Sequence, residues 1–172
     1  MREKRLKEIE DYIDDIEDYY VRTAYVELID KCKSFYKDIR IDLIEDFLNE
    51  GKIVIFCGHL FKEWLPGCPI FTPRNIQSHK DYEIFVEKQH PIFDGVSTDD
   101  MTYNKGVAGF FSRVTHAPIP VNAEVLLTFH DQMPITYIDR YSTKGTILVH
   151  AGRDLFALRM QNKSTDRISN QL

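Results

Sequence analysis

Cysteine, basic charge and long apolar runs are all scarce in this 172-residue chain, and each scarcity excludes something. Cysteine occurs 3 times, at Cys32, Cys57 and Cys68, an odd number with no framework spacing. That excludes a disulfide scaffold and suits free thiols in a reducing compartment. The 22 Lys and Arg residues are outnumbered by 27 Asp and Glu, and the resulting net charge of −5 argues against a nucleic-acid partner, which needs a basic surface to displace counterions. No apolar stretch approaches the roughly 20 residues that span a bilayer, and the charged start at Met1 and Arg2 is followed by no hydrophobic signal region. The expectation is a cytoplasmic protein with no membrane partner. No internal repeat or low-complexity linker interrupts the chain, so a single domain over 1–172 is expected, with a helical extension at 1–28 and a core at 29–172. A chain of this length buries roughly 70% of the surface its unfolded form exposes, enough for one core.

What is present begins with an acidic amphipathic segment. Leu6, Ile9, Ile13 and Ile16 recur at spacings of three and four among charged residues, predicting a helix with a narrow apolar seam. That seam either packs on the domain or pairs with a second copy. Residues 19–28, rich in Tyr, Val and Thr, favour a short strand, with helix as the other reading. Helical spacing returns over 29–50, at Ile41, Leu43, Ile44, Phe47 and Leu48, and Gly51 stands where it can cap the C-terminus.

The organising stretch follows: Lys52-Ile-Val-Ile-Phe-Cys-Gly-His59, an apolar run ending abruptly in Cys57, Gly58 and His59. Such a run reads as a strand buried on both faces of a mostly parallel sheet, and in open α/β sheets ligands bind beyond the carboxyl ends of such strands. Pro66 and Gly67 stop any helical turn after it, and the breakers across 68–81 predict an irregular loop. Further strands are expected at 82–86, 123–129, 135–139 and 145–150, with His130 to Pro134 as a turn. Residues 154–172 read as helical in parts, Ser164 supplying a cap.

Taken in order, Glu50 to His59, Trp64-Leu-Pro-Gly67, His90-Pro-Ile-Phe-Asp-Gly-Val96, Lys105-Gly-Val-Ala-Gly-Phe-Phe111, Ala123 to Leu127 and Gly145 to Gly152 resemble the class I glutamine amidotransferase-like superfamily. The resemblance covers about three quarters of the chain. It implies a three-layer α/β domain of flavodoxin-like fold with a mostly parallel sheet, here reduced at its N-terminal end, where a first hydrophobic strand is missing. By position Cys57 matches that superfamily's nucleophile and His150 its histidine, and Asp154 is the nearest acid to its glutamate. The resemblance therefore implies a thiolate activated by an imidazole that a carboxylate orients. The chain departs from the pattern where Ile55 and His59 replace the glycines that shape the strained elbow around the nucleophile, so a catalytically diverged branch without glutaminase activity is expected.

Each candidate residue carries two readings. Cys57 is a nucleophile or a small pocket-lining residue; His59 touches a ligand or fills a core; Trp64 forms a pocket wall or plain core. Arg153 binds an anion through its fork of donors or makes a surface salt bridge. Together Cys57, Gly58, His59, Trp64, His150, Gly152, Arg153 and Asp154 are expected to converge on one crevice for a small polar or anionic molecule such as a nucleotide or sugar derivative. The rival functions are a Cys57/His150 hydrolase or amidotransferase and a non-catalytic oligomerising subunit. The missing first strand and amphipathic start predict a homo-oligomer. His59, His79, His90, His116, His130 and His150 show no metal-ligand spacing, so neither a metal nor any other cofactor is expected.

Overall fold

The computed structural model describes residues 41–159 and 162–172, which fall in one compact unit spanning 41–172. The expected N-terminal helix, and the strand or helix at 19–28, lie outside the described residues. The first described element is helix α1 (Ile41–Asn49), where Ile41, Ile44 and Leu48 recur at helical spacing on the inward side and Leu48 is fully buried. Gly51 ends it in the left-handed region, at φ +80°, with its N–H donating to Leu48 O at 2.9 Å. Only a residue without Cβ takes that conformation cheaply.

Strand β1 (Ile53–Cys57) follows, then β2 (Phe71–Pro73) and β3 (Ile84–Val86). A short helix, α2 (Thr98–Thr102), precedes the small hairpin of β4 (Tyr103–Asn104) and β5 (Val107–Ala108). Strands β6 (Val114–His116), β7 (Glu124–Phe129), β8 (Pro134–Asp139) and β9 (Thr146–His150) complete the set before a final turn of helix, α3 (Ile168–Gln171). The main sheet has five strands in the order β1-β9-β8-β7-β3; β2 and β6 form a separate antiparallel ribbon.

The expected three-layer, flavodoxin-like, mostly parallel sheet is not what these strands build. Only β1 and β9 run parallel; β9 with β8, β8 with β7, and β7 with β3 are all antiparallel. Connection length is the physical reason. Parallel neighbours need a crossover of a dozen or more residues, whereas 130–133 join β7 to β8 and 140–145 join β8 to β9, and links that short close only as hairpins. The apolar run of β1 reads in the sequence as a strand of a mostly parallel sheet because such runs are buried on both faces. Burial on both faces has another source here. One cluster, with Phe111, Met101, Leu127 and Leu155, packs on one side of the sheet, and a second, with Leu48, Leu60, Tyr137 and Val149, packs on the other.

For β1 the expectation of a strand buried on both faces is corrected, although its neighbour β9 is largely buried. The two are hydrogen-bonded neighbours, in register from Ile53 opposite Thr146 to Cys57 opposite His150. Yet β1 is the terminal strand of the sheet, and Ile53 is 64% exposed. The loop before β9 fixes this pairing, because a Cβ on Gly145 would lie 2.3 Å from Lys52 O and 2.8 Å from Leu48 O. Nothing larger than glycine lets that loop close on the end of α1.

Candidate functional site at the exits of β1 and β9

Parallel register brings Cys57 and His150 side by side, and the chain is tied there again where Gly58 N donates to His150 O at 3.0 Å. Gly58 sits at φ +129°, a conformation that glycine tolerates. Successive side chains on a strand alternate faces. Cys57 accordingly packs against the Phe111 cluster, while Phe56 and Trp64 pack against the Tyr137 cluster on the far side.

The His150 imidazole is fully buried. Its Nδ1 lies 2.8 Å from Thr136 Oγ1, its cross-strand neighbour on β8, and its ring meets Phe111 edge-on at 4.6 Å. Its Nε2 has no hydrogen-bond partner; the Phe111 carbonyl is near enough to favour the proton slightly but lies outside hydrogen-bond geometry, being taken by Arg153 N at 3.0 Å. Burial dominates and pushes the imidazole down to about 3. Beside it, burial pushes the Cys57 thiol up to about 11; the Leu155 backbone opposes that rise, and the Asp154 carboxylate adds to it. At neutral pH the pair is therefore a thiol beside a neutral imidazole. Nucleophilic catalysis by cysteine needs the thiolate.

Asp154 does not orient His150. Its carboxylate accepts from Phe156 N at 2.9 Å and caps the short turn Leu155–Ala157. Arg153 lies with its guanidinium 4.6 Å from the centre of the Phe110 ring and donates through Nε to Phe110 O at 3.3 Å, so its fork is partly committed within the fold. Lys163 approaches the same ring at 4.5 Å. Gly152 is a packing glycine: a Cβ there would lie 2.3 Å from Phe111 O and 3.0 Å from His150 Nε2.

The remaining two candidates turn elsewhere. His59 is exposed and stacks on Phe71 of the β2–β6 ribbon, at 5.4 Å and 24° between planes; burial of the ring against its neighbours, then nearby His116, hold its pKa below the usual value. Trp64 meets Phe56 edge-on at 5.6 Å, and its Nε1 is buried without a partner. Thus Cys57, Gly58, His150, Gly152, Arg153 and Asp154 gather at one end of the sheet, whereas His59 goes with the ribbon and Trp64 packs on the opposite face. The eight residues do not line a common crevice.

Sequence reasoning also missed the residues that hold this end together. His116, buried on β6, has Nδ1 2.8 Å from Pro69 O and Nε2 3.0 Å from Gly58 O, so it links the turn after β1 to the loop before β2. A neutral ring can donate to only one of those carbonyls. No spacing in Thr115-His-Ala-Pro118 announces that role. Thr136 and Phe111 were legible only as apolar-run and glycine-flanked neighbours.

Two concave surfaces lie away from Cys57 and His150. One, of about 580 Å³, is lined by residues that include Glu87, Ile119, Val125 and Gln132; another, of about 390 Å³, includes Glu63, Leu65, Cys68 and Ile119. Pro118 and Ile119 are common to both. Among the described residues no group of His, Cys, Asp and Glu is arranged to hold a metal ion, and no helix is long and apolar enough to cross a membrane.

Comparison of the chain with protein-family models, with curated proteins and with solved structures finds no match.

Proposed function

We propose that this chain is a non-catalytic ligand-binding domain. The observation that carries the reading is the electrostatic state of its most reactive-looking pair: burial raises the Cys57 thiol to about 11 and depresses His150 to about 3, so neither partner prepares the other for attack. The acid that a triad would need is occupied in capping a turn, at 2.9 Å from Phe156 N. The Cys57/His150 hydrolase reading loses its support on the same grounds. A small anionic ligand at the strand exits would call on His59 and Arg153 together, and these side chains belong to different surroundings, Phe71 and Phe110. The open concavities beside Pro118 are the better seat.

Self-association is a second part of the proposal. β1 is a terminal strand with Ile53 exposed, and α1, the helix leading into it, leaves Leu43 and Phe47 exposed one turn apart. Light scattering at micromolar concentration checks this, a dimer mass supporting it and a monomer mass opposing it. For the central claim, glutamine, amide and ester substrates are incubated with the wild-type chain and with Cys57→Ser. No turnover in either is expected; turnover that vanishes in Cys57→Ser would establish an enzyme instead.

A further inference from the structure

His116 stands at the end of β6, opposite Phe71 of β2, and is fully buried. Both of its ring nitrogens meet carbonyl oxygens, Nδ1 at 2.8 Å from Pro69 O and Nε2 at 3.0 Å from Gly58 O. A carbonyl only accepts, so each contact needs a proton on the nitrogen. The neutral ring carries one proton, which would leave a nitrogen lone pair facing a carbonyl oxygen at hydrogen-bond distance, acceptor against acceptor. Only the imidazolium supplies both donors. Burying a cation is costly unless its donors are hydrogen-bonded, and here each ring nitrogen has an acceptor within reach of a charge-assisted bond. The acceptors are held in place in turn. Gly58 N donates to His150 O at 3.0 Å, so one residue is tied to β9 through its N–H and to β6 through its carbonyl. Pro69 O also faces the Cys68 thiol at 3.7 Å, a weak donor.

The titratable groups around the ring are neutral. His59, beyond the turn, and His150, on β9, are each held below the usual imidazole range by burial first, with nearby His116 adding to the effect. Burial raises Cys68 and Tyr137, and it raises Cys57, on the far face of β1, to about 11. Phe56 meets the His116 ring edge-on at 5.8 Å. Among the described residues no carboxylate forms an ion pair with His116. Two carbonyl dipoles, rather than a counter-ion, are what face the ring nitrogens. From this geometry we infer that His116 carries a proton on both ring nitrogens and works as a pH-operated latch: the imidazolium ties the turn after β1 to the loop before β2, and loss of one proton as pH rises releases Gly58 O. Gly58 is the side that lets go, because glycine allows its peptide to swing and His59 beyond it is exposed, so water can take the ring's place. Pro69 keeps the shorter bond. The latch joins backbone to backbone and stands apart from any ligand the concavities bind.

The test titrates the full chain, labelled with nitrogen-15 and carbon-13, from about pH 5.5 to about pH 10, while NMR follows the His116 ring nitrogens and the carbonyl carbons of Gly58 and Pro69. At the acid end both ring nitrogens are expected to give protonated signals with slowly exchanging N–H protons. As pH rises, Nε2 is expected to lose its proton and the Gly58 carbonyl carbon to move upfield with the same midpoint, as a carbonyl does on giving up a strong hydrogen bond, while Pro69 moves less. The same curves are expected in His59→Gln, which separates them from titration of His59. In His116→Gln, whose side chain does not titrate, the Gly58 carbonyl is expected to show no midpoint. One bare ring nitrogen throughout the range, two protons retained to the alkaline end, a proton lost while Gly58 stays unmoved, or a Gly58 midpoint that survives in His116→Gln would each overturn the inference. The wild-type curves decide the matter on their own should His116→Gln fail to fold.

Discussion

The two faces of the main sheet differ in how much they leave undone. On the face that carries Cys57 and His150, the cluster of Phe111, Met101, Leu127, Leu155 and Ile168 is closed, each of these residues being fully buried. On the other face, α1 and the loop bearing Leu60 and Leu65 cover β1, β9 and β8, whereas the surface beside Val125 and Thr128 of β7 stays open as a trough. Chemistry-bearing residue types lie on the closed face, and space lies on the open one. A cysteine, a histidine and an acid near parallel strand ends thus meet on the closed face, where burial holds both the thiol and the imidazole neutral.

The largest effect expected from breaking this contrast comes from crowding the closed face. Gly152→Ala places a Cβ 2.3 Å from Phe111 O and 2.9 Å from Ser112 Cβ, a collision between backbones that cannot be relieved by a rotamer change. A loss of about 3 kcal/mol or more, or failure to fold, is expected in chemical denaturation. Val125→Thr, on the open face, should cost less than about 1 kcal/mol. Comparable losses from the two would remove the distinction.

A smaller effect should appear with pH. The folded-state pKa of His150 lies below its unfolded value, at about 3. The unfolded chain therefore takes up a proton near pH 6.5 that the folded chain refuses, so the stability is fully present above that pH and is lost as pH falls toward 3. His59, also depressed, contributes in the same direction. The loss should reach on the order of a few kcal/mol and should begin above pH 4.5, before the carboxylates Asp81, Asp100 and Glu124, whose pKa values are lowered by their own hydrogen bonds, become protonated. In His150→Gln the slope between pH 6.5 and 4.5 should flatten. An unchanged slope would mean that the buried imidazole is not its source.

Smaller again is the effect of trimming a hydrogen bond within the cluster on the second face. Tyr137→Phe removes the bond from the hydroxyl to Gly67 O, 2.9 Å long, and is expected to cost about 1 kcal/mol in urea denaturation. A loss near zero would show that the loop carrying Gly67 is not held from below.

Much of this arrangement was legible in the sequence as segments and little of it as connections. The apolar runs gave β1, β7, β8 and β9 nearly to the residue, and Gly51 gave the end of α1. Their directions were readable too, because the turn at 130–133 permits only a hairpin, but two-sided burial was weighed above connection length. β2 was missed because Pro73 reads as a breaker, although at the end of an edge ribbon a proline needs no ladder bond. The β4–β5 hairpin turns on Lys105 and Gly106, both at positive φ, the geometry of a type I′ turn, which a lysine in the first position disguises. For the site, the sequence brought Cys57 and His150 to the same sheet end, since register follows from the two runs. What it could not supply was the surroundings: Phe111 over His150, Phe110 under Arg153 and the turn that Asp154 caps come from a segment whose side chains carry no periodic signal.

The central claim, that Cys57 is an unactivated thiol on a closed face, is tested most directly by its own titration. The rate of alkylation by iodoacetamide at Cys57 is followed from pH 6 to 11.5 by peptide-resolved mass spectrometry, which separates it from Cys32 and Cys68. The account predicts slow modification at neutral pH and a rate still rising toward a midpoint near pH 11, in keeping with a thiol pushed up to about 11 by burial. A midpoint below about 8, the mark of a thiolate stabilised by its neighbours, would contradict it and return Cys57 and His150 to the role of a catalytic pair.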